Sequence, residues 1–240
     1  MEVSQLIYNP NSANPKALQA FYADVIGLEP NPEMGDGALM AAGTPFIVDG
    51  HSDLSGPTKE PPRTMANIAV DDLVAETERL EAAGVEFLVR RGPPVPGEIA
   101  FATFIDPDGG YGQIFQAHGA PAGTRMFAVS RNTENPDRMR TFYRDVVGLA
   151  EGAPELGSPF MVGGTALYIS PHSEISGSAR EPARVLLNFF VADLAAEQLR
   201  IERQGVEFIR TAGREPWGGV ISTFPDPDGN YLQLIEFRPG

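Results

Sequence analysis

The sequence contains no cysteine, only three histidines and a single tryptophan. Without cysteine, the chain cannot form disulfides, thiolate nucleophiles or cysteine-based zinc sites. No apolar run approaches the roughly 18 to 20 residues that a membrane-spanning helix needs. The first residues also lack the basic and then apolar pattern of a signal peptide. These absences predict a cytoplasmic protein with no membrane partner.

Basic residues are also scarce relative to acidic ones, and the formal net charge is -14. A nucleic-acid-binding surface needs a basic footprint that faces the phosphates, so we expect no nucleic-acid partner. An acidic chain could attract a cationic ligand, but a solvated acidic surface explains the charge more simply.

What the chain does contain is nearly the same pattern twice, 121 positions apart. Residues 21–28 (FYADVIGL) return as residues 142–149 (FYRDVVGL). Residues 51–56 (HSDLSG) return as residues 172–177 (HSEISG). A period of this length indicates a duplicated domain rather than a solenoid repeat.

The duplication predicts the domain organisation. We expect one domain over residues 1–119 and a second over residues 124–240, joined by a linker at residues 118–123. Two fused copies are expected to pack as an internal pseudo-dimer, so the chain would be a monomer of this kind, with a further homodimer left open.

Each copy shows the element order strand, helix, strand, strand, strand, twice over. In the first copy, Asn14 is placed as an N-cap, Pro15 fits the first helical position and Gly27 fits a left-handed C-cap. Residues 15–26 are therefore predicted to form a helix. The Asp-Pro-Asp-Gly sequence at residues 106–109 is predicted to be a hairpin turn, because the further ligands of a calcium loop are missing.

Four motifs occur in the same order in both copies. In the first copy they are the FYADVIGL helix, VDDL at residues 70–73, AGVEF at residues 83–87 and DPDGGYGQ at residues 106–113. Together they resemble the vicinal oxygen chelate superfamily, which includes glyoxalase I, extradiol dioxygenases, fosfomycin-resistance transferases and bleomycin-binding resistance proteins.

The resemblance implies an α+β fold with four βαβββ modules in two tandem glyoxalase-like domains. Their curved antiparallel sheets would surround clefts. Family membership would not by itself select a function, because one fold serves many chemistries.

Enzymes of this superfamily hold a divalent metal with side chains from the first, fifth and eighth strands. Carried over to this sequence, the three positions fall on Ile7 and Ala128, on Met65 and Leu186, and on Gln113 and Gln233. Apolar side chains cannot ligate a metal, and a neutral amide is a weak ligand for a hard dication. We therefore predict no metal site and no cofactor. A set drawn from different modules, such as Gln5, Gln113 and Gln233, leaves a divalent metal open.

His51 and His172 are the candidate catalytic residues, because they form a matched pair in matched surroundings. An imidazole near neutral pH can act as a general base or as a hydrogen-bonding partner of a ligand. The alternative is a turn histidine with a purely structural role.

Six residues are candidate ligand contacts. A polar amide within an apolar strand must bond either to a ligand or to the sheet, which selects the pairs Asn67 and Asn188, and Gln113 and Gln233. The other two, Trp217 and Tyr8, are chosen because the copies differ there, with Gly97 and Val129 as counterparts. Trp217 could cover a flat ligand or pack between strands.

Two functions remain from the sequence. The first is a binding protein, similar to bleomycin-resistance proteins, that holds a small organic molecule without a metal. The second is an enzyme on the same scaffold. It would be a lyase, isomerase or extradiol-type dioxygenase with a metal site, or a metal-independent tailoring enzyme that uses a histidine.

Overall fold

A computed structural model describes residues 3–35 and 37–237 of the chain. The predicted domain ends at residues 1–2 and 238–240 lie outside the described residues. Within the described ranges, no helix is long and apolar enough to cross a membrane.

The first copy contains two βαβββ modules, as predicted, with the last strand of module 1 divided into two short strands. Module 1 comprises β1 (Val3–Ser12), α1 (Pro15–Ala20) with a π-helical continuation (Phe21–Ile26), β2 (Glu29–Pro30), β3 (Ala38–Ala41), β4 (Thr44–Ile47) and β5 (Asp49–Gly50). Module 2 comprises β6 (Thr64–Ala69), α2 (Leu73–Ala82), β7 (Phe87–Val89), β8 (Ile99–Ile105) and β9 (Tyr111–Ala117).

The second copy repeats this plan, except that the strand that would match β2 is reduced to a single bridge between Glu151 and Phe160. Module 3 comprises β10 (Phe127–Thr133), α3 (Pro136–Thr141) with a π-helical continuation (Phe142–Val147), β11 (Phe160–Val162) and β12 (Thr165–Pro171). Module 4 comprises β13 (Val185–Val191), α4 (Leu194–Glu202), β14 (Arg210–Arg214), β15 (Val220–Pro225) and β16 (Tyr231–Glu236). The α+β class and the module count are thereby confirmed.

The first helix begins and ends where the sequence predicts, but its second half is wound as a π-helix. Pro15 occupies the first turn, and Gly27 ends the helix in the left-handed region with a φ of 88°. The Asn14 side chain caps no backbone N–H among the described residues, whereas its counterpart Asn135 accepts from the Arg138 backbone at 3.1 Å.

The strands form two curved sheets, and each sheet takes one module from each copy. Sheet I has the order β14-β15-β16-β13-β1-β4-β3-β2, with β5 beside β1, and so joins modules 1 and 4. Sheet II has the order β11-β12-β10-β6-β9-β8-β7 and joins modules 2 and 3. At both junctions the strands are antiparallel, β1 with β13 and β10 with β6. A site on either sheet is therefore shared between the two copies.

An aromatic cluster in the core links the two sheets. The rings of Tyr8 and Phe46, both from sheet I, have centroids 5.0 Å apart, and Tyr22 lies 4.5 Å from Phe46. Phe127 of sheet II lies 5.6 Å from Tyr8. Burial of these large rings is a main source of stability at the junction of the copies.

Two buried glutamates on the connectors also tie the copies together. The Glu60 carboxylate pairs with Arg63 at 2.6 Å and accepts from the Arg180 backbone N–H of the other copy at 2.6 Å. Glu181 accepts in return from the Lys59 backbone N–H at 2.6 Å. These reciprocal hydrogen bonds hold the two copies together in addition to the contacts of the apolar core.

Candidate functional site

A cleft of about 610 Å³ opens on one face of sheet II. Its walls come from β6, β7, β8 and β9 of module 2 and from β10 and β12 of module 3. This volume lies in the range of small-molecule sites, about 300–1,000 Å³. We call it the sheet II cleft.

Four side chains cross the floor of this cleft in a single row. Asn67 on β6 is the direct partner of Ala128 on β10 and of Gln113 on β9. Gln113 is in turn the partner of Thr103 on β8. Directly opposed residues point to the same face of a sheet, with neighbouring strands about 4.8 Å apart. We call Asn67, Gln113 and Thr103 the polar row.

The Asn67 carboxamide has one oxygen without a partner. Its Nδ2 donates to the Ala128 carbonyl at 3.2 Å, the Ser130 hydroxyl at 3.0 Å and the Met65 carbonyl at 3.4 Å. These acceptors fix the orientation of the amide, and Oδ1 then accepts no hydrogen bond from the described residues. The residue is 4% exposed, and a buried acceptor left unpaired costs about 1–3 kcal/mol.

Gln113 is the second amide of the polar row. Its Nε2 donates to the Thr103 hydroxyl at 3.1 Å. The Gln113 oxygen accepts no hydrogen bond within the part of the chain that the structure describes, so it remains available to a ligand. The sequence did not identify Thr103. The repeat of threonine at position 223 of the second copy was the available signal, but a threonine in a strand has no feature that marks it as functional.

Apolar side chains form the walls and the rim of the cleft. Several of them are unusually exposed for large hydrophobic residues, and these are Val89, Ile99, Phe101, Met126 and Leu156. Phe101 packs against Phe115, with ring centroids 5.6 Å apart and a tilt of 34°. Exposed apolar groups that converge on one concavity indicate a binding surface.

The three metal positions implied by the resemblance converge in this cleft. Met65, Gln113 and Ala128 all line it. Met65 and Gln113 come from the first copy and Ala128 from the second, so the three positions of this cleft are drawn from both copies. Two apolar groups and one amide do not fit a hard dication. Within residues 3–35 and 37–237, no group of three His, Cys, Asp or Glu side chains could hold a metal ion.

The alternative metal set of Gln5, Gln113 and Gln233 does not assemble. Gln113 lies on β9 of sheet II, whereas Gln233 lies on β16 of sheet I. Gln5 belongs to β1, which is also in sheet I. The three amides therefore cannot surround one ion.

His172 lies at the edge of the sheet II cleft, directly after β12. Its Nδ1 accepts a hydrogen bond from the Glu174 backbone N–H at 3.3 Å. In the neutral ring, the proton is then on Nε2, which makes that nitrogen a donor and not a base. His51 makes the matching contact with the Asp53 backbone N–H at 3.3 Å beside sheet I. The structure thus separates the two histidines between the two sheets.

The same three residue types form a row on sheet I, but different side chains lie beside it. Asn188 is the partner of Ile7 on β1 and of Gln233 on β16, and Gln233 is the partner of Thr223. Gln233 donates to the Thr223 hydroxyl at 3.2 Å, and Asn188 Oδ1 again lacks a partner among the described residues. Asn188 and Gln233 therefore lie together, but not with Asn67 and Gln113.

Asn9 fills space next to the sheet I row. Its Nδ2 donates to the Ile47 carbonyl at 2.7 Å and to the Asp49 carboxylate at 3.2 Å, and its oxygen accepts from Asn188 at 3.3 Å. The counterpart of Asn9 on sheet II is Ser130, which is shorter. A side chain that bridges two strands occupies room that remains open on sheet II.

Tyr8 and Trp217 lie away from the sheet II cleft. Tyr8 is 3% exposed and lies in the aromatic core. Successive residues of a strand point to opposite faces, so Tyr8 lies on the face of sheet I opposite to Ile7 and Asn9. Trp217 is 53% exposed in the turn between β14 and β15. Its ring covers the Gly219 backbone so closely that a Cβ at Gly219 would overlap it. Trp217 therefore packs on its own hairpin at an edge of sheet I.

Outside both rows, the two Asp-Pro-Asp-Gly turns differ in the partners of their first aspartate, although burial raises the pKa of both Asp106 and Asp226. Asp106 Oδ1 accepts from the Asp108 and Gly110 backbone N–H groups at 2.9 and 2.8 Å, and burial raises the pKa of Asp106 to about 6. Asp226 keeps the same turn bonds and gains the Asn230 side chain at 2.9 Å and the Arg131 guanidinium at 3.9 Å. The predicted turn is confirmed in both copies.

Comparison with known proteins gives the same fold. Glyoxalase I from Zea mays has a TM-score of 0.63 at 14% identity, with 98% of this chain and 92% of that chain covered. A single-site variant of the same maize enzyme has a TM-score of 0.68 at 15% identity, with the same coverage. A Bacillus subtilis protein proposed as a dioxygenase has a TM-score of 0.57 at 16% identity and covers 100% of this chain and 86% of its own. At these identities the likeness shows the fold alone.

Sequence comparison supplies the family. No curated protein sequence matches the chain. The family model described as the Glyoxalase/Bleomycin resistance protein/Dioxygenase superfamily matches residues 11–111 and 125–234, which is most of both copies. The chain belongs to the Glyoxalase/Bleomycin resistance protein/Dioxygenase superfamily.

Proposed function

We propose that the protein binds a small organic molecule in the sheet II cleft without a divalent metal. The observation that supports this most strongly is the replacement of all three metal positions in one cleft by Met65, Ala128 and Gln113, while the cleft keeps a volume of about 610 Å³. The apolar walls would supply affinity, and the polar row would set the orientation of the ligand.

Metal chemistry has no residues to support it in this cleft. A catalytic metal of this superfamily would bind two neighbouring substrate oxygens and stabilise the charge that develops on them. That requires anionic or imidazole ligands, and the nearest imidazole, His172, has its Nδ1 engaged with the Glu174 backbone. Binding is therefore better supported than metal-assisted turnover.

The proposal can be tested by giving one sheet the residues found at the equivalent positions of the other. Ala128→Ile with Ser130→Asn gives sheet II the residues that sheet I has at Ile7 and Asn9. Because sheet I tolerates those residues in the same fold, the double variant is expected to fold. A screen of aromatic fragments by ligand-observed NMR should find binders of the wild type that the double variant loses.

The matched control is Ile7→Ala with Asn9→Ser on sheet I. This pair should leave those same fragments bound, because it changes only the other sheet. Fragments that bind the two double variants equally would refute the assignment to the sheet II cleft.

A second candidate function is an enzyme on the same scaffold. It is favoured by His172, which lies in the cleft and presents Nε2–H as a donor to a bound molecule. Turnover of a bound fragment that disappears in His172→Ala and persists in His51→Ala would support it. Saturable binding with no product would support the binding function.

The proposal includes a cytoplasmic location and an internal pseudo-dimer that acts as a monomer. Light scattering distinguishes a monomer of 25.8 kDa from a homodimer of twice that mass. Because all the residues that line the sheet II cleft come from one chain, ligand binding should not depend on protein concentration.

A further inference from the structure

We infer that Tyr168, Ser170 and His172 bind one edge of the ligand in the sheet II cleft, and that this ligand is an uncharged, largely apolar molecule with oxygen acceptors along that edge. This inference deepens the proposed function and rests on it. It follows from a line of hydrogen-bond donors on one wall of the cleft, from an apolar wall elsewhere in the cleft, and from the lack of such a line on sheet I.

The donors lie along a single strand. Tyr168 and Ser170 are two residues apart on β12, His172 follows the strand directly, and all three line the cleft. Alternate residues of a strand point to the same face, with about 6.6 Å between their Cα atoms, so the two hydroxyls share a face. Their cross-strand partners on β10, Ser130 and Asn132, line the same cleft. We call Tyr168, Ser170 and His172 the donor line.

Each member of the donor line has an O–H or N–H that is open to a ligand. Neither hydroxyl has a hydrogen-bond partner within residues 3–35 and 37–237. His172 Nδ1 accepts from the Glu174 backbone, which leaves Nε2–H as the donor. Burial raises the pKa of the Tyr168 phenol, so the hydroxyl keeps its proton at neutral pH. All three residues are half-buried, so a ligand oxygen can replace water beside them.

Sheet I lacks the donor line, which associates the line with the sheet II cleft. The counterparts of its three residues are Ile47, Asp49 and His51. Ile47 has no polar side-chain atom, and the ionised Asp49 carboxylate can only accept. Asp49 already accepts from Asn9 at 3.2 Å. The donors therefore occur on the sheet whose cleft is open, and they are not a general feature of the repeated fold.

The other wall of the cleft is apolar. Strands β10, β6 and β9 separate β12 from β8 in sheet II, so these two strands supply different walls. Val89 on β7 and Ile99 and Phe101 on β8 line the cleft there, and 37–48% of each is exposed. A ligand that covers both walls needs an apolar part towards β8 and hydrogen-bond acceptors towards β12.

The charged side chains of the cleft favour an uncharged ligand. Arg91 and Glu98 both line it, and the ends of their side chains lie 4.0 Å apart. An ionic ligand would lose hydration in the cleft without gaining a counter-ion of its own, because these two charges already balance each other. Hydroxyl, carbonyl or ether oxygens are therefore the acceptors that suit the donor line.

Two isomers with the same atoms test whether the acceptors must share one edge. Naphthalene-2,7-diol carries both hydroxyls on one long edge, about 7 Å apart, which is close to the rise of two strand residues. Naphthalene-2,6-diol carries them on opposite edges. Dissociation constants from NMR titration should be lower for the 2,7 isomer by about threefold or more, as for one added hydrogen bond. The anion 7-hydroxy-2-naphthoate should bind more weakly than the 2,7 isomer.

Variants locate the preference. Tyr168→Phe with Ser170→Ala removes both hydroxyls and keeps the aromatic ring, so the two diols should bind this variant alike. Asp49→Ser is the matched control, because it changes the position of sheet I that corresponds to Ser170, and it should keep the preference. The comparison of isomers on the wild type needs no variant and stands even where the double variant fails to fold.

Each contrary result has a distinct meaning. Equal binding of the two diols, lost in Ala128→Ile with Ser130→Asn, would overturn the role of the donor line and leave the proposed function intact. A preference that persists in Tyr168→Phe with Ser170→Ala would also overturn that role. Tighter binding of the naphthoate would overturn the assignment of an uncharged ligand. Failure of both diols to bind would overturn the inference, while the fragment screen would still decide the proposed function separately.

Discussion

Sheets I and II carry the same polar row but differ in what stands next to it. Asn, Gln and Thr occupy matching positions on both sheets, with the same hydrogen bond from Gln to Thr. Beside the row, sheet I has Ile7 and Asn9 where sheet II has Ala128 and Ser130. Duplication has therefore kept the floor of the site and varied the space above it.

The two sheets differ in the size of the side chains beside the row, and so in the space above it. On sheet I, Asn9 spans from the Asn188 amide to the Ile47 carbonyl. On sheet II, the shorter Ser130 makes one bond to Asn67 and leaves a cleft of about 610 Å³. The two copies also differ in the partners of their buried aspartates, Asp106 and Asp226. This second difference can be tested through the free energy of unfolding.

The largest expected effect concerns Asp226, whose counterpart Asp106 lacks an arginine partner. Asp226→Asn should lower the free energy of unfolding by about 3 kcal/mol, because the carboxylate that accepts from the Asn230 amide and lies 3.9 Å from the buried Arg131 guanidinium is lost. We expect no larger effect, because the contact with Arg131 is too long for a hydrogen bond and burial raises the pKa of Asp226. Urea denaturation followed by circular dichroism measures this. A loss below about 1 kcal/mol would show that the Thr64 hydroxyl, 2.6 Å from Arg131, is sufficient for that group.

The next effect is a pH dependence that arises from Asp106. Burial raises the pKa of Asp106 to about 6 in the folded state, above the unfolded value of about 3.9. The folded state then binds more protons between these values, so the free energy of unfolding should fall as pH rises from about 4 to 6, by up to about 3 kcal/mol.

Asp106→Asn isolates this contribution. Its side-chain oxygen can keep both turn bonds, so the variant should lose this part of the pH dependence and be at least as stable as the wild type at pH 7. Denaturation curves at several pH values decide the matter. An unchanged slope in Asp106→Asn would assign the dependence to other groups.

The comparison of the two rows predicts an intermediate effect on binding. Ala128→Ile with Ser130→Asn should weaken any sheet II ligand about tenfold or more, because the added atoms occupy the space above the row. Titration of one fragment into the wild type and both double variants measures it. Equal affinity in all three would mean that the fragment binds elsewhere.

The smallest effect is expected for His172. If Nε2–H donates to the ligand, His172→Ala should weaken binding by about 0.5–1.5 kcal/mol, the size of one ordinary hydrogen bond. His51→Ala, on the other sheet, should change nothing. A loss of binding in His51→Ala as large as in His172→Ala would indicate that both act through the stability of the turns.

Much of the fold follows from local signals in the sequence. Pro15 and Gly27 mark the first helix correctly, and Asp-Pro-Asp-Gly marks the hairpins. The π-helical winding of residues 21–26 was not predicted, because the motif that fills it has no distinct signal for five-residue spacing. Local signals thus predicted elements but not their winding.

The pairing of modules could not be predicted from one sequence. Modules 2 and 4 carry the same motifs, so nothing local decides whether β1 pairs with β13 or with β6. For that reason the sequence identified Asn67 and Gln113 as candidates but did not predict that they lie in one row with Ala128. Tyr8 shows the related difficulty that a shift of one residue in a strand changes the face on which a side chain lies.

The measurement that most directly tests the central claim is elemental analysis of the untagged protein, purified without chelator, for iron, manganese, nickel, cobalt and zinc. The account predicts only trace metal, because Met65, Ala128 and Gln113 offer no ligand set for a dication. A stoichiometric amount of one metal per chain, retained after dialysis, would contradict it.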